Sequence, residues 1–122
     1  MSTRALIGIA NKDNTIHYIY SHFDGYVKGG VGEILLNKFT TKQAVIKLLA
    51  GGSARSIDSA GTVSYFDDEG SDTVLNDEYT LGKAGSEYVY LFEPETKTWI
   101  YKHYENSTET EQKVSDWKLL SV

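Results

Sequence analysis

Apolar and polar residues alternate along the first part of the chain, and this pattern predicts a β-hairpin. Arg4 to Ala10 is expected to form one strand and Thr15 to Ser21 the next, because alternation places successive side chains on opposite faces of a sheet. Residues 11–14 between them are Asn, Lys, Asp and Asn, which favour a turn. The first strand presents Ala5, Ile7 and Ile9 on one face and Leu6 on the other, and the second presents Ile16, Tyr18 and Tyr20 on one face and His17, Ile19 and Ser21 on the other.

Two short helices are expected after the hairpin. The first covers Val31 to Phe39, with apolar residues spaced to face inward. Thr40 or Thr41 is positioned to cap the second helix, and Gly51-Gly52 is positioned to end it. The apolar stripe of the second helix consists of Ala44, Val45, Leu48 and Leu49.

The second half of the chain predicts further strands between polar loops. Strands are expected at 62–66, 87–93 and 98–104, with a turn at 94–97. The segments 53–61 and 105–113 are polar and irregular, and 67–85 is either a long surface loop or a loop that holds one short element. Residues 114–122 are expected to close the fold, with Trp117, Leu119 and Leu120 as apolar anchors.

This order of elements predicts a small single α+β domain spanning residues 1–122, with a mixed or antiparallel sheet and two short helices on one face. The chain has no cysteine, which excludes disulfides and thiolate-bound metals, and no cofactor or metal is predicted. A net charge of −5 argues against nucleic-acid binding, and no apolar run is long enough to span a membrane. We therefore expect a cytoplasmic protein with neither nucleic acid nor membrane as partner.

The segment from His22 to Gly32, here called the glycine loop, combines four glycines with aromatic, basic and acidic residues. In one interpretation, backbone N–H groups ahead of the first helix, assisted by Lys28, hold a phosphate or carboxylate. In the other, the glycines supply positive φ angles or close packing. The spacing matches neither a Walker loop nor a Gly-x-Gly-x-x-Gly fingerprint. The candidate ligand-binding residues are His22, Asp24, Tyr26, Lys28, Gly29, Gly30 and Gly32.

His22 and Asp24 also have two interpretations. A histidine and a carboxylate two residues apart can act as a base and its orienting partner, or can bind a metal. Alternatively, His22 bonds the backbone of the loop and Asp24 caps an Asp-Gly turn. Because no nucleophile or metal-ligand spacing accompanies them, no catalytic residue is assigned and the chain is not expected to be an enzyme.

Several of these residues together resemble a group of small proteins encoded by tailed bacteriophages. The resemblance consists of Ser2-Thr3-Arg4 before a strand, then Tyr20, His22, Asp24-Gly25-Tyr26, Gly30-Val31-Gly32 and Leu35, and more loosely the Tyr88–Phe92 strand followed by Trp99. Val27 stands where that group frequently has proline. The resemblance implies a phage or prophage accessory gene, and small phage proteins of this kind often act by binding host machinery, including bacterial defence systems.

Two functions follow as expectations. The first is a non-catalytic phage protein in the host bacterial cytoplasm that binds and inhibits a host protein, most plausibly a defence component; it requires a contiguous exposed aromatic patch. The second is sequestration of a small phosphate-bearing, nucleotide-like ligand at the glycine loop, in which case a bulky residue at Gly30 should abolish binding and leave the fold intact. The chain is either monomeric or a homodimer formed by pairing of sheet edges.

Overall fold

The computed structural model describes residues 3–13, 15–66, 72–75, 87–103 and 118–121. The strands in these ranges are β1 (Ala5–Ala10), β2 (Thr15–Ser21), β3 (Ala54–Ile57), β4 (Val63–Tyr65), β5 (Asp72–Leu75), β6 (Tyr88–Glu93), β7 (Thr98–His103) and β8 (Lys118–Leu119), and the helices are α1 (Val31–Lys38) and α2 (Lys42–Ala50).

All of these strands belong to one mixed sheet, which confirms the predicted α+β class. Seven strands lie in the order β4-β3-β2-β1-β6-β7-β8. The predicted hairpin is antiparallel, with Ile7 opposite Ile19, whereas β1 and β6 run parallel, with Ile7 opposite Tyr90. The outer edge of β2 is shared, since β5 pairs with its first residues and β3 with Ser21 at its end.

The sheet buries apolar side chains on both faces. On one face, residues of β1, β2, β6 and β7 join buried residues of α1 and α2 in one cluster, which includes Ile7, Ile19, Leu35, Leu48 and Phe92. A smaller cluster on the other face consists of Leu6, Ile16, Val89 and Leu91. The clustered apolar residues of β1, β2, β6 and β7 therefore lie on the sides that the alternation predicted.

Local contacts set the two ends of α2, and a contact from the sheet holds the end of α1. The Thr41 side chain accepts a hydrogen bond from the Ala44 N–H at 3.2 Å and caps α2, as one of the two predicted threonines should. The helix ends before Gly52, which adopts a φ of +86°. The end of α1 is tied to the sheet, because the indole N–H of Trp99 donates to the Phe39 carbonyl oxygen at 2.9 Å.

Two sequence predictions differ from the structure. The polar segment 53–61 contains β3. Pairing with β2 and β4 supplies hydrogen-bond partners for its backbone, and a polar sequence does not indicate such pairing. Leu119 is not an anchor, being 66% exposed, while Leu120 is buried as expected and its N–H donates to the Trp99 carbonyl. Of the segment 67–85, the structure describes β5, the one short element allowed for there. Tyr104, Trp117 and the segment 105–113 lie outside the described residues.

Neither helix in the described ranges is both long and apolar enough to cross a membrane.

Candidate functional site

The start of the glycine loop continues the sheet rather than leaving it. The His22 N–H donates to the Ala54 carbonyl at 3.0 Å, and the Phe23 N–H donates to the Arg55 carbonyl at 3.2 Å. The loop thus extends the parallel pairing of β2 with β3 by two residues. This pairing holds the backbone of His22 and Phe23 in a defined position on the sheet edge.

The next residues of the loop are bonded to Thr3, which precedes β1, and to β6. Asp24 takes the left-handed conformation, with a φ of +58°, which aspartate tolerates. The Gly25 N–H donates to the Thr3 carbonyl at 2.9 Å, and the buried Tyr90 hydroxyl donates to the Gly25 carbonyl at 2.6 Å. Burial raises the pKa of Tyr90 far above its usual range, so the hydroxyl keeps the proton that it donates. We call this Tyr90–Gly25 hydrogen bond the loop latch.

The backbone N–H groups that the phosphate interpretation requires are already used within the loop. The bonds are Gly29 N–H to Glu33 Oε1 at 3.0 Å, Gly30 N–H to Val27 O at 3.3 Å, Val31 N–H to Asp24 O at 2.7 Å, Gly32 N–H to Tyr26 O at 3.1 Å and Glu33 N–H to Val27 O at 2.9 Å. An anion at this helix start would have to displace these bonds. The geometry therefore favours the structural interpretation of the glycines.

Gly30 shows why a glycine is needed there. A Cβ atom at this position would lie 2.5 Å from the Asp24 carbonyl oxygen and closer still to that of Tyr26. Both obstacles are backbone atoms, which do not move aside as a flexible side chain does. The expectation that a bulky residue at Gly30 would leave the fold intact is therefore wrong, for steric reasons. Gly29 differs, since its φ of +76° favours glycine but the space around it is open.

His22 and Asp24 bond different tyrosines. The Nδ1 atom of His22 lies 2.6 Å from the Tyr20 hydroxyl oxygen, and the Tyr26 hydroxyl donates to Asp24 at 3.2 Å. That second bond is the main reason why the pKa of Tyr26 is raised. In the described part of the chain no hydrogen bond joins His22 to Asp24, so the geometry does not assemble the base and orienter considered above.

His22 lies at the centre of a surface cluster, here called the aromatic patch, which consists of Tyr20, His22, Phe23, Arg55 and Phe66. The His22 ring meets Phe23 edge to face, with centroids 4.5 Å apart, and Phe66 likewise at 5.8 Å. The Arg55 guanidinium carbon lies 5.0 Å from the centroid of the Phe66 ring. Phe23 is 42% exposed, so a large apolar ring faces solvent from this cluster.

Of the predicted site residues, only His22 belongs to the patch. Phe23 was within the segment singled out by the sequence but was not chosen, and Tyr20 was assigned to a sheet face. Arg55 and Phe66 come from segments more than thirty residues further along the chain. Only the pairing of β2 with β3 brings them to His22, and no local pattern reveals that pairing.

Asp24, Gly29 and Gly30 instead line an open groove of about 310 Å³ between α1 and the turn after β3. The ionisable groups lining it are Asp24, Glu33, Asp58 and Lys38. Three carboxylates against one ammonium make this groove a poor phosphate site. Within the described ranges, no three His, Asp or Glu side chains converge as metal ligands.

In comparisons with protein-family models, curated proteins and solved structures, nothing matched this chain.

Proposed function

We propose that this protein works by binding another protein through the aromatic patch, without catalysing a reaction. The observation that carries the proposal is the contiguous set of aromatic rings with the 42% exposed Phe23 at its outer side. Aromatic side chains and arginine are enriched among residues that dominate binding energy at protein interfaces. An exposed phenylalanine that is packed against other aromatic rings and near an arginine is suited to anchor a partner protein.

The patch is ordered before any partner arrives. Its backbone is bonded to β3, the His22 ring is held by the Tyr20 hydroxyl at 2.6 Å, and the loop latch fixes the chain immediately after it. Binding to such a surface orders few side chains, which lowers the entropic cost of association. The supporting hydrogen bonds thus give the glycine loop a purpose other than ligand binding.

The same geometry argues against base stacking at the patch. The His22 ring meets its neighbours edge to face, and Arg55 covers one side of Phe66. The cluster therefore does not present a set of parallel, open ring faces on which bases could stack. The net charge of −5 further weakens association with a polyanion. A protein surface is the better match.

The biological setting is part of the proposal and is supported by the sequence resemblance described above. In that setting the protein is encoded by a bacteriophage, acts in the host bacterial cytoplasm and inhibits a host protein that belongs to a defence system. Inhibition by contact needs no catalytic group.

The experiment compares capture of bacterial proteins from lysate by the unaltered chain, a Phe23→Ala variant and a Leu119→Ala variant, each read by native mass spectrometry. Leu119 is 66% exposed on β8, at the opposite end of the sheet from β3, and is the matched control. We expect Phe23→Ala to weaken capture at least about tenfold, as loss of an interface anchor does, and Leu119→Ala to have no effect.

Equal thermal stability of the two variants would show that the Phe23 effect is on binding and not on folding. Capture that is unchanged in Phe23→Ala would refute the proposal. A retained small molecule in place of a protein would also refute it, and would favour ligand binding in the groove between α1 and the turn after β3.

A further inference from the structure

We infer that His22 supplies the aromatic patch with a directed hydrogen-bond donor, its Nε2–H group, and that the partner protein places an oxygen acceptor against it. This inference rests on the proposed function and adds to it a residue that determines specificity. Its basis is the hydrogen bond between Tyr20 and His22, because that bond decides which nitrogen of the imidazole ring carries the hydrogen.

The Tyr20 hydroxyl selects one tautomer of the His22 ring. The hydroxyl oxygen lies 2.6 Å from Nδ1. A phenol hydroxyl is an effective donor and an imidazole nitrogen with a free lone pair is a strong acceptor, so Tyr20 donates to Nδ1. Burial raises the pKa of Tyr20, against the smaller opposite effect of the Arg4 guanidinium, so the hydroxyl keeps the proton that it donates. A neutral ring whose Nδ1 accepts a hydrogen bond carries its own hydrogen on Nε2.

The Nε2–H group of His22 is available to a partner. Among the described residues no hydrogen bond reaches Nε2, and the side chain is only partly buried. In these ranges the buried side-chain nitrogen or oxygen without a hydrogen-bond partner is the Ser21 hydroxyl, so the unbonded Nε2 atom is in contact with solvent. The patch thus combines apolar rings with one polar group whose direction is fixed by Tyr20.

A partner that covers the patch also covers this donor. The His22 ring lies against both phenylalanine rings, with centroids 4.5 Å from Phe23 and 5.8 Å from Phe66, so a surface that covers both rings reaches the histidine as well. An N–H group that is buried without an acceptor weakens the complex. The partner therefore has to present an oxygen, such as a peptide carbonyl, next to the apolar side chain that contacts Phe23. A surface with only apolar groups or N–H donors at this point is rejected, because it leaves the donor unpaired.

The tautomer can be measured on the full chain without a partner. NMR of the histidine ring nitrogens is recorded at about pH 8.5, above the range in which imidazoles ordinarily titrate. The His22 signals are identified by their absence from a His22→Gln variant. We expect hydrogen on Nε2 and a free lone pair on Nδ1, and we expect Tyr20→Phe to increase the share of the other tautomer. Hydrogen on Nδ1 in the unaltered chain would overturn the inference.

The contribution to binding is measured by capture of bacterial proteins from lysate, with two complementary variants. His22→Phe keeps an aromatic ring and removes the N–H donor. His22→Gln removes the ring, but its side-chain amide keeps an N–H donor and an oxygen that can accept from Tyr20. We expect His22→Phe to weaken capture about tenfold and His22→Gln to capture more than His22→Phe does. If His22 served only as an aromatic ring, this order would be reversed. Thermal unfolding of both variants separates effects on binding from effects on folding.

Failure of this inference and failure of the proposed function give different results. Full capture by His22→Phe, or hydrogen on Nδ1, would overturn the donor, while loss of capture in Phe23→Ala would still support binding through the patch. Unchanged capture in Phe23→Ala, or no captured protein at all, would instead overturn the proposed function and this inference with it.

Discussion

The loop latch is the feature whose removal has the best-defined consequence. Replacing Tyr90 with phenylalanine keeps the ring that packs in the core and removes only the hydroxyl that donates to the Gly25 carbonyl at 2.6 Å. Both residues are buried, and the Tyr90 side chain is fully inaccessible to solvent. The carbonyl oxygen left behind therefore gains no water in exchange.

The expected loss can be estimated from that geometry. A buried carbonyl deprived of its partner costs about 1–3 kcal/mol, whereas the change in apolar volume is too small to add a large cavity term. We therefore expect the Tyr90→Phe variant to be about 2 kcal/mol less stable than the unaltered chain at neutral pH. The amide protons of Gly25 and Val31, whose bonds form the loop beside the latch, should also exchange faster.

The Tyr90 hydroxyl also makes the stability difference between the unaltered chain and the Tyr90→Phe variant depend on pH, and the sign of this dependence follows from the pKa of Tyr90. Burial raises the pKa of Tyr90 above its ordinary value of 10.0. Above pH 10 the unfolded chain releases this proton while the folded chain keeps it, so the stability contributed by Tyr90 is complete below that pH and is lost above it, by up to about 1.4 kcal/mol per pH unit. Other tyrosines titrate equally in both proteins, so an advantage of about 2 kcal/mol should vanish near pH 11.5.

Urea denaturation at a series of pH values measures this difference, with Tyr88→Phe as the control. Tyr88 lies on the same strand and sheet face, stacked against Tyr90 with ring centroids 6.0 Å apart, but is only partly buried. Its hydroxyl should be dispensable within about 0.5 kcal/mol. The reasoning is refuted if Tyr90→Phe is as stable as the unaltered chain at neutral pH, or if the difference grows above pH 10.

Two further stability measurements test other parts of the loop and its support. Gly30→Ala should lose about 3 kcal/mol, because its Cβ meets backbone oxygen atoms, whereas Gly29→Ala should lose only about 1 kcal/mol, the cost of a positive φ in open space; equal losses would contradict the steric argument. Ser21→Ala should raise stability by up to about 1 kcal/mol, since the buried Ser21 hydroxyl has no hydrogen-bond partner among the residues that the structure describes; a clear loss in urea denaturation would show that this hydroxyl is bonded.

Local patterns predicted most of the regular elements. The alternation from Thr15 to Ser21 gave both the limits of β2 and the facing of its side chains. A threonine before an apolar stripe predicted the cap of α2. These predictions succeeded because strand facing and helix capping depend on residues within a few positions of one another.

β3 and the aromatic patch were beyond the reach of the same reasoning. β3 has only four residues, two of them polar, and its neighbours β2 and β4 define it by pairing. The patch depends on that pairing, because Arg55 and Phe66 reach His22 only when β3 and the residues after β4 lie beside the end of β2. The energy that creates such contacts is distributed over the whole sheet and leaves no signal in a short window.

The sequence by itself determined that this chain has an α+β fold with two helices, and that residues 22–32 are more than a connector. Only the tertiary structure decided how those residues are held, since Tyr90 bonds Gly25 from 65 positions away and the N–H groups of Gly29, Gly30 and Gly32 bond other residues of the loop and of α1. Secondary structure follows from neighbouring residues, which share one local backbone geometry. A site follows from residues that are distant in sequence, and these meet only after the core has packed.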